Sequence, residues 1–136
     1  MAETKWNDAV RVVRGASLQD AMRAGNGRAT AFDFTGEGGS KTWIGTVMMK
    51  PDACTGGHHH GRHEAAIYVV RGNVEIRWGD ELEYSAVVGP GDFIYFTPNV
   101  PHQERNLSTA DTAEFVVVRS DNERIAVALD GLSNRA

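Results

Sequence analysis

Short apolar runs separated by turn residues make up most of the chain from residue 31 onward. These runs are rich in β-branched and aromatic residues, which favour strands over helices. The pattern predicts the strands Ala31–Phe34, Thr42–Lys50, Ala65–Arg71, Val74–Trp78, Glu83–Val88, Phe93–Thr97, Pro101–Asn106 and Ala113–Ser120, with Arg124–Leu129 as a possible last strand. The sequence therefore predicts an all-β, antiparallel fold.

One short helix is predicted near the start of the chain. Ser17 is a suitable N-cap for a helix over Leu18–Ala24, with Asp20 in its first turn and Gly25 as its terminator. The glycine-rich segment Thr35–Ser40 is too short for a domain linker, so we expect a surface loop there. With 136 residues and no internal repeat, the chain is predicted to form a single domain over residues 1–136.

Turn residues at three breaks predict tight connections between strands. Gly72-Asn73 is typical of a two-residue hairpin, Gly79-Asp80 of a second tight turn, and Gly89-Pro90-Gly91-Asp92 of a third. This spacing favours an antiparallel barrel or double sheet. The runs Ile67–Val70 and Phe115–Val118 are apolar on both faces, so a second sheet or a subunit interface is expected to cover them. We therefore also predict a homodimer.

Composition narrows the function classes. The net charge is -4 and the basic residues are scattered, which argues against nucleic acid as a partner. Cys54 is the single cysteine, so no intrachain disulfide can form, and a reducing compartment is the simplest expectation. The first residues do not resemble a signal peptide, and no apolar stretch is long enough to span a membrane. We therefore expect a cytoplasmic protein without membrane contact.

Four of the five histidines lie within six residues, at positions 58, 59, 60 and 63, and Glu64 follows them. Imidazole nitrogens and carboxylate oxygens are good ligands for Fe, Mn, Co, Ni and Zn. The run lies in mid-chain and leads into an apolar segment, unlike an expression tag. In an extended segment, His58 and His60 face the same side while His59 points away. The cluster therefore predicts a divalent transition-metal site.

The histidine run resembles the first of two motifs that define the cupins, a family of small jelly-roll β-barrels that bind a metal inside the barrel. In that motif a turn Gly precedes His-x-His, a Glu and a later Gly. Asp52 takes the place of the first Gly here, and His58 and His60 supply the pair. Asp is one of the few residues other than Gly that tolerate a left-handed backbone.

The second cupin motif, Gly-x5-Pro-x-Gly-x2-His-x3-Asn, is matched in all its spacings. The matching residues are Gly91, Thr97 for the Pro, Asn99 for the second Gly, His102 and Asn106. The resemblance extends over a motif core of about residues 31–120. It implies a cupin-type jelly-roll barrel with one short N-terminal helix, and it implies His102 as a further metal ligand.

The carboxylate ligand of the family has no unambiguous counterpart. Counting back from Gly72 places it at Ala65, whereas counting forward from the histidines places it at Glu64. The two counts agree only with a one-residue bulge between Glu64 and Gly72. Without it, Glu64 faces the other side of the sheet. One hypothesis has His58, His60, Glu64 and His102 as ligands; the other is a three-histidine site, with His63 as a lesser candidate.

Several polar neighbours are candidates for other roles. Glu64 could act as a general base if it does not bind the metal. Arg62 could hold a substrate carboxylate, although a solvent-facing loop position is the simpler interpretation. Gln103 or Glu104 could orient His102 or a bound water, or could simply face solvent at the end of a strand.

The resemblance implies a small metal-dependent enzyme that binds a small oxygenated metabolite. With iron(II), dioxygenase-like cleavage of a dicarbonyl, keto acid or enol is the first hypothesis, because some cupin dioxygenases have three-histidine sites. With Mn, Zn or Ni, isomerase, lyase or decarboxylase chemistry is the alternative. A non-catalytic small-molecule-binding cupin and a metal-free dimeric interaction protein remain open, because the fold hosts many functions.

Overall fold

The computed structural model describes residues 14–24, 27–32, 42–120 and 126–129. Its elements are α1 (Gly15–Ala24), β1 (Arg28–Phe32), β2 (Trp43–Met49), β3 (His58–His59), β4 (Ala65–Arg71), β5 (Val74–Trp78), β6 (Tyr84–Val88), β7 (Phe93–Phe96), β8 (His102–Asn106), β9 (Ala113–Arg119) and β10 (Val127–Ala128). The prediction of an all-β fold with one short helix is confirmed. None of the described helical residues forms a segment long and apolar enough to cross a membrane.

The strands form two five-stranded antiparallel sheets. One has the order β1-β2-β9-β4-β7 and the other β10-β3-β8-β5-β6. The chain changes sheet repeatedly, and the apolar core lies between the two sheets. Its buried side chains are Trp43, Met49, Ala65, Ile67, Val69, Val74, Ile76, Phe96, Ala113, Phe115 and Val117. This arrangement agrees with the predicted jelly roll.

Strand β9 shows how the alternating pattern fills this core. Ala113, Phe115, Val117 and Arg119 are all buried, while the residues between them are only partly buried. Because side chains alternate between the two faces of a strand, these four residues share the inner face. The guanidinium of Arg119 therefore lies at the end of β9, on the same inner face as three apolar side chains.

Two of the three predicted tight turns are crossovers between the sheets. Gly72 and Asn73 join β4 in one sheet to β5 in the other, and residues 89–92 join β6 to β7 in the same way. The predicted hairpin at Gly72-Asn73 is therefore wrong. Of the three predicted turns, only the one after β5 joins two strands of the same sheet, and five residues separate Trp78 and Tyr84, the last pair of β5 and β6. Glycine and asparagine permit either connection, because they determine the local bend and not the partner strand.

Helix α1 begins at Gly15, earlier than predicted. The backbone N–H of Leu18 donates to the carbonyl of Arg14, so Ser17 lies within the first turn and is not the N-cap. The first strand also begins earlier, at Arg28. The two-residue strand β3 was not predicted, because it is too short to show a pattern. The predicted terminator Gly25 and the loop Thr35–Ser40 lie outside the described residues.

The two substitutions of motif glycines fit the backbone. Asp52 and Asn99 both have a φ of 63°, in the left-handed region that Asp and Asn tolerate better than most residues. The fully buried Asn106 completes the second motif. Its side-chain nitrogen lies within 3.2 Å of three backbone carbonyl oxygens, those of Met49, Lys50 and Asp111. Asn106 thereby ties the end of β8 to the end of β2.

Candidate metal centre

Three histidines meet at the inner face of the second sheet. His58 on β3 is the cross-strand partner of His102 on β8, and His60 follows two residues after His58. One possible ligand atom from each lies within 4.8 Å of the other two. Around an ion with bonds of 2.0–2.1 Å, neighbouring ligand atoms lie about 3–4 Å apart. Small side-chain rotations would therefore bring all three histidines to one divalent ion.

The hydrogen bonds of two of these histidines orient them for metal binding. Nδ1 of His58 lies 2.8 Å from the carbonyl oxygen of Gly56, and Nδ1 of His102 lies 3.0 Å from that of Val100. A carbonyl can only accept, so each Nδ1 carries the proton and each Nε2 keeps its lone pair. Nε2 of His102 is buried and has no hydrogen-bond partner among the described residues. A metal ion would satisfy this buried acceptor.

Burial also keeps His102 uncharged. Its ring is 1% exposed, and the ring of Phe96 stacks on it at a centroid distance of 4.1 Å. Loss of hydration lowers the pKa of His102 to about 4. The imidazole is therefore neutral at pH 7 and needs to lose no proton before it binds an ion.

Glu64 does not join the histidines in this structure. It is exposed, and its Oε1 accepts a hydrogen bond from the hydroxyl of Tyr95. Strand β4 does contain a bulge, between Val69 and Arg71. A bulge between Glu64 and Gly72 was the condition under which the two ways of counting the first motif agree. The bulge follows Ala65, which is buried and lines the cavity beside the histidines. Ala65 therefore holds the inward position and Glu64 the outward one.

The remaining residues of the histidine run also lie apart from the cluster. His59 pairs through its backbone with Val127 of β10, and its Nδ1 accepts the N–H of Gly61 at 3.0 Å. Arg62 is exposed and is not among the residues that line the cavity. His63 is buried, and neither of its ring nitrogens makes a hydrogen bond to any residue that the structure describes. Within the described part of the chain, the residues whose possible ligand atoms lie close enough together to hold a metal ion are His58, His60 and His102.

A carboxylate does reach the cluster, from β8 and not from β4. Oε1 of Glu104 lies 3.8 Å from Nε2 of His102, and the side chain lines the same cavity. Thr55 holds the Glu104 backbone on both sides: its N–H donates to the Glu104 carbonyl, and its hydroxyl accepts the Glu104 N–H, each at 2.9 Å. Burial raises the pKa of Glu104, while the neighbouring His58 and His60 act in the opposite direction.

Strand parity separates Glu104 from its neighbour. Two residues after an inward His102, Glu104 must face inward as well, and Gln103 must face outward. Gln103 indeed donates from Nε2 to Sγ of Cys54, at 3.2 Å on the outer side. The alternation of side chains along the strand was therefore the sequence signal that could have identified Glu104 as a site residue, once His102 was assumed to be a ligand.

The histidines open into a cavity of about 140 Å³ between the two sheets. Its walls combine apolar side chains with charged and polar ones: Arg28, Val47, Met49, Thr55, His58, His60, Ala65, Ile67, Phe96, His102, Glu104, Phe115, Val117 and Arg119. A larger cleft of about 390 Å³ lies between β5, β6 and β7, but its lining is mainly apolar and includes none of the histidines. Of these two cavities, the smaller one is lined by the three histidines.

Comparisons with known proteins agree with this architecture. A family model described as "Cupin domain" matches residues 45–119. An uncharacterized conserved protein with a double-stranded beta-helix domain from Klebsiella pneumoniae is 17% identical, with a TM-score of 0.67, and the alignment covers 89% of this chain and 99% of that one. At this identity the likeness shows the fold alone.

Two further solved structures have enzyme names. The polyketide cyclase RemF from Streptomyces resistomycificus is 25% identical, with a TM-score of 0.63 and coverage of 77% of this chain and 72% of that one. An oxalate oxidase is 21% identical, with a TM-score of 0.62 and coverage of 76% of this chain. The chain spans only 56% of the oxalate oxidase.

Proposed function

The chain belongs to the cupin-domain family, and from this premise we propose that it is a metal-dependent enzyme acting on a small oxygenated metabolite. The observation that carries the proposal is the cluster of His58, His60 and His102, with the buried, unsatisfied Nε2 of His102 among them. An unsatisfied buried nitrogen is not sufficient by itself, because both ring nitrogens of His63 also lack a hydrogen-bond partner among the described residues. His58, His60 and His102 differ in that one possible ligand atom from each lies within 4.8 Å of the other two. These rings converge on a shared point at the edge of a cavity.

The proposed ligands are His58, His60, His102 and Glu104. Glu64 is left out because its side chain is exposed and bonded to Tyr95. Glu104 replaces it because its carboxylate already lies 3.8 Å from Nε2 of His102, and Thr55 holds its backbone through two hydrogen bonds. Three neutral imidazoles and one carboxylate form a donor set that suits borderline divalent cations such as Fe, Mn, Co, Ni or Zn.

A divalent ion in this position would polarise a carbonyl or enol oxygen, and iron(II) would in addition make dioxygen reactive. The residues around it perform the remaining tasks. The rings of Phe96 and Phe115 and the side chain of Val117 exclude water from one side of the cavity. The cavity volume restricts the substrate to a few non-hydrogen atoms, since one water molecule occupies about 30 Å³ in the liquid.

Dioxygenase-like chemistry on a dicarbonyl, keto acid or enol is the specific activity we propose. The oxalate oxidase among the similar structures supports it, because that enzyme's name describes the oxidation of a small oxygen-rich molecule. A metal-dependent isomerase, lyase or decarboxylase is the second candidate. The likeness to a polyketide cyclase, at 25% identity, favours chemistry of this non-oxidative kind.

The homodimer predicted from the sequence stays a prediction. It is supported by the outer face of β4 and β7, where Tyr68, Phe93 and Tyr95 are 38%, 77% and 57% exposed. Such neighbouring aromatic side chains on one sheet face are typical of a surface that another molecule covers.

Metal content and oxygen uptake test the proposed activity. Protein purified without a histidine tag is expected to bind one transition-metal ion per chain. Its iron(II) form is expected to consume oxygen with at least one member of a panel of β-dicarbonyls, keto acids and catechols, measured with an oxygen electrode. The Mn and Zn forms, assayed by NMR for isomerisation or decarboxylation of the same compounds, are the comparison.

Less than about a tenth of an equivalent of any metal, before and after reconstitution, would contradict the proposal outright. Oxygen uptake selects the dioxygenase. Turnover without uptake selects the isomerase or lyase, and no turnover by any metal form of a fully loaded protein rules out an enzyme acting on these compounds.

A further inference from the structure

The wall of the cavity opposite the histidines carries two guanidinium groups. Arg119, the last residue of β9, is 6% exposed, and Arg28 on β1 lines the same cavity although it is exposed. Both lie over the ring of Trp43, with the Cζ atoms of Arg119 and Arg28 at 4.3 and 5.8 Å from the ring centre. One aromatic ring thus contacts both guanidinium groups.

Strand pairing places Arg119 next to the metal-binding wall. Ala65 is the cross-strand partner of Arg119 on one side and of Phe96 on the other. Phe96 stacks on His102, so the guanidinium and the histidines face each other across the cavity. The small side chain of Ala65 leaves the space between them open.

The charged side chains that line the cavity are mostly basic. Among the described lining residues, the formally charged groups are two guanidiniums and one carboxylate, that of Glu104. Guanidiniums therefore outnumber carboxylates among these lining residues, and a divalent ion would add further positive charge. In a site with little water, this excess favours an anionic occupant. A guanidinium is the group best suited to bind a carboxylate, through two parallel hydrogen bonds.

We propose that the cavity takes a small carboxylic acid with a second oxygen function, whose carboxylate binds Arg119 and whose other oxygen faces His58, His60 and His102. Arg28, at the exposed end of the cavity, attracts the acid and closes the site around its carboxylate. This proposal adds a substrate class to the proposed function, and it depends on the proposed function for the presence of the metal ion. The carboxylate site itself stands on Arg119, Trp43 and the cavity. The carboxylate-binding role that the sequence suggested for Arg62 is thereby assigned to Arg119, inside the barrel.

Calorimetric titration with lactate and lactamide tests the inference, because the two probes have nearly the same shape and differ in charge. Lactate is expected to bind both the metal-free and the manganese-loaded protein, and lactamide at least about tenfold more weakly. Arg119→Gln is expected to weaken lactate binding by about tenfold or more, and Arg28→Gln by several-fold. Arg71→Gln, which removes the same charge from an exposed position at the end of β4, is the control and is expected to bind lactate as the wild type does.

Equal binding of lactate and lactamide overturns the inference, as does an Arg62→Gln variant that loses as much affinity as Arg119→Gln. Tighter binding of inorganic phosphate than of lactate also overturns it. Thermal denaturation checks that each variant folds; if Arg119→Gln does not, the two probes and Arg28→Gln still decide. If the protein binds lactate but no metal, the metal-dependent function alone is rejected. If it binds metal but not lactate, this inference alone is rejected.

Discussion

Replacing His102 with alanine is expected to remove stoichiometric metal binding, with a fall in affinity of about a thousandfold or more. The expectation exceeds the 10–100-fold effects typical of residues that only orient a ligand, because His102 is proposed to bind the ion directly. Its Nε2 is buried and lacks a hydrogen-bond partner among the described residues, and alanine supplies no ligand atom. Competition with a chelating dye, combined with elemental analysis of the dialysed protein, measures the effect.

His59→Ala is the matched control, because His59 belongs to the same run but faces away from the cluster and bonds to Gly61. Its metal affinity is expected to stay within about twofold of the wild type. Because His102 contributes to the core, circular dichroism and thermal melting of the metal-free proteins must accompany the titration. A folded His102→Ala variant that binds metal as tightly as His59→Ala would show that the ion, if present, binds elsewhere.

The second expected result distinguishes two glutamates. Glu104→Gln is expected to lower the metal affinity by about a hundredfold, because the amide keeps the shape of the side chain but loses the charge that attracts a cation. It is also expected to change the visible absorption bands of the cobalt(II) form, which report on the ligands around the ion. Glu64→Gln is the matched substitution on the outer face and is expected to leave both the affinity and the spectrum unchanged.

The reverse outcome, in which Glu64→Gln weakens binding and Glu104→Gln does not, would restore the ligand set suggested by counting forward from the histidines. It would require β4 to shift by one residue relative to β9, since Ala65 now faces inward as the partner of Arg119. Equal and small effects from both variants would leave a site of three histidines without a carboxylate. The spectrum of the cobalt(II) form separates that case, because it would then be the same in all three proteins.

The sequence predicted those parts of the fold and the site that depend on local rules. The inward pair His58 and His60 follows from strand parity, and the positive φ of Asp52 and Asn99 follows from the turn residues of the motifs. The strands β4 and β5 were predicted at both ends because β-branched and aromatic residues are frequent in them and turn residues, Gly72 and Asn73, separate them. Each of these features is determined within a few residues of the chain.

The features that the sequence did not predict depend on contacts between distant segments. Gly72-Asn73 permits a hairpin or a crossover equally, and only the pairing of β4 with β9 decides between them. Arg119 follows three inward apolar residues of β9, yet an arginine at a strand end is normally exposed. Its burial depends on Trp43, 76 residues away in the chain, which stacks on its guanidinium. The alternation of side chains along β8 was enough to predict that Glu104 points inward. Its proximity to His58 and His60, however, requires β3 and β8 to pair.

Anomalous X-ray scattering from crystals of the metal-loaded protein tests the central claim most directly, because it locates the ion and its ligands together. Data collected on both sides of the absorption edge of manganese, cobalt or zinc are expected to show one strong peak per chain. That peak is expected within bonding distance of Nε2 of His58 and His102, a ring nitrogen of His60 and the carboxylate of Glu104. A peak at Glu64 or His63, or no peak in the cavity of fully loaded protein, would contradict the account.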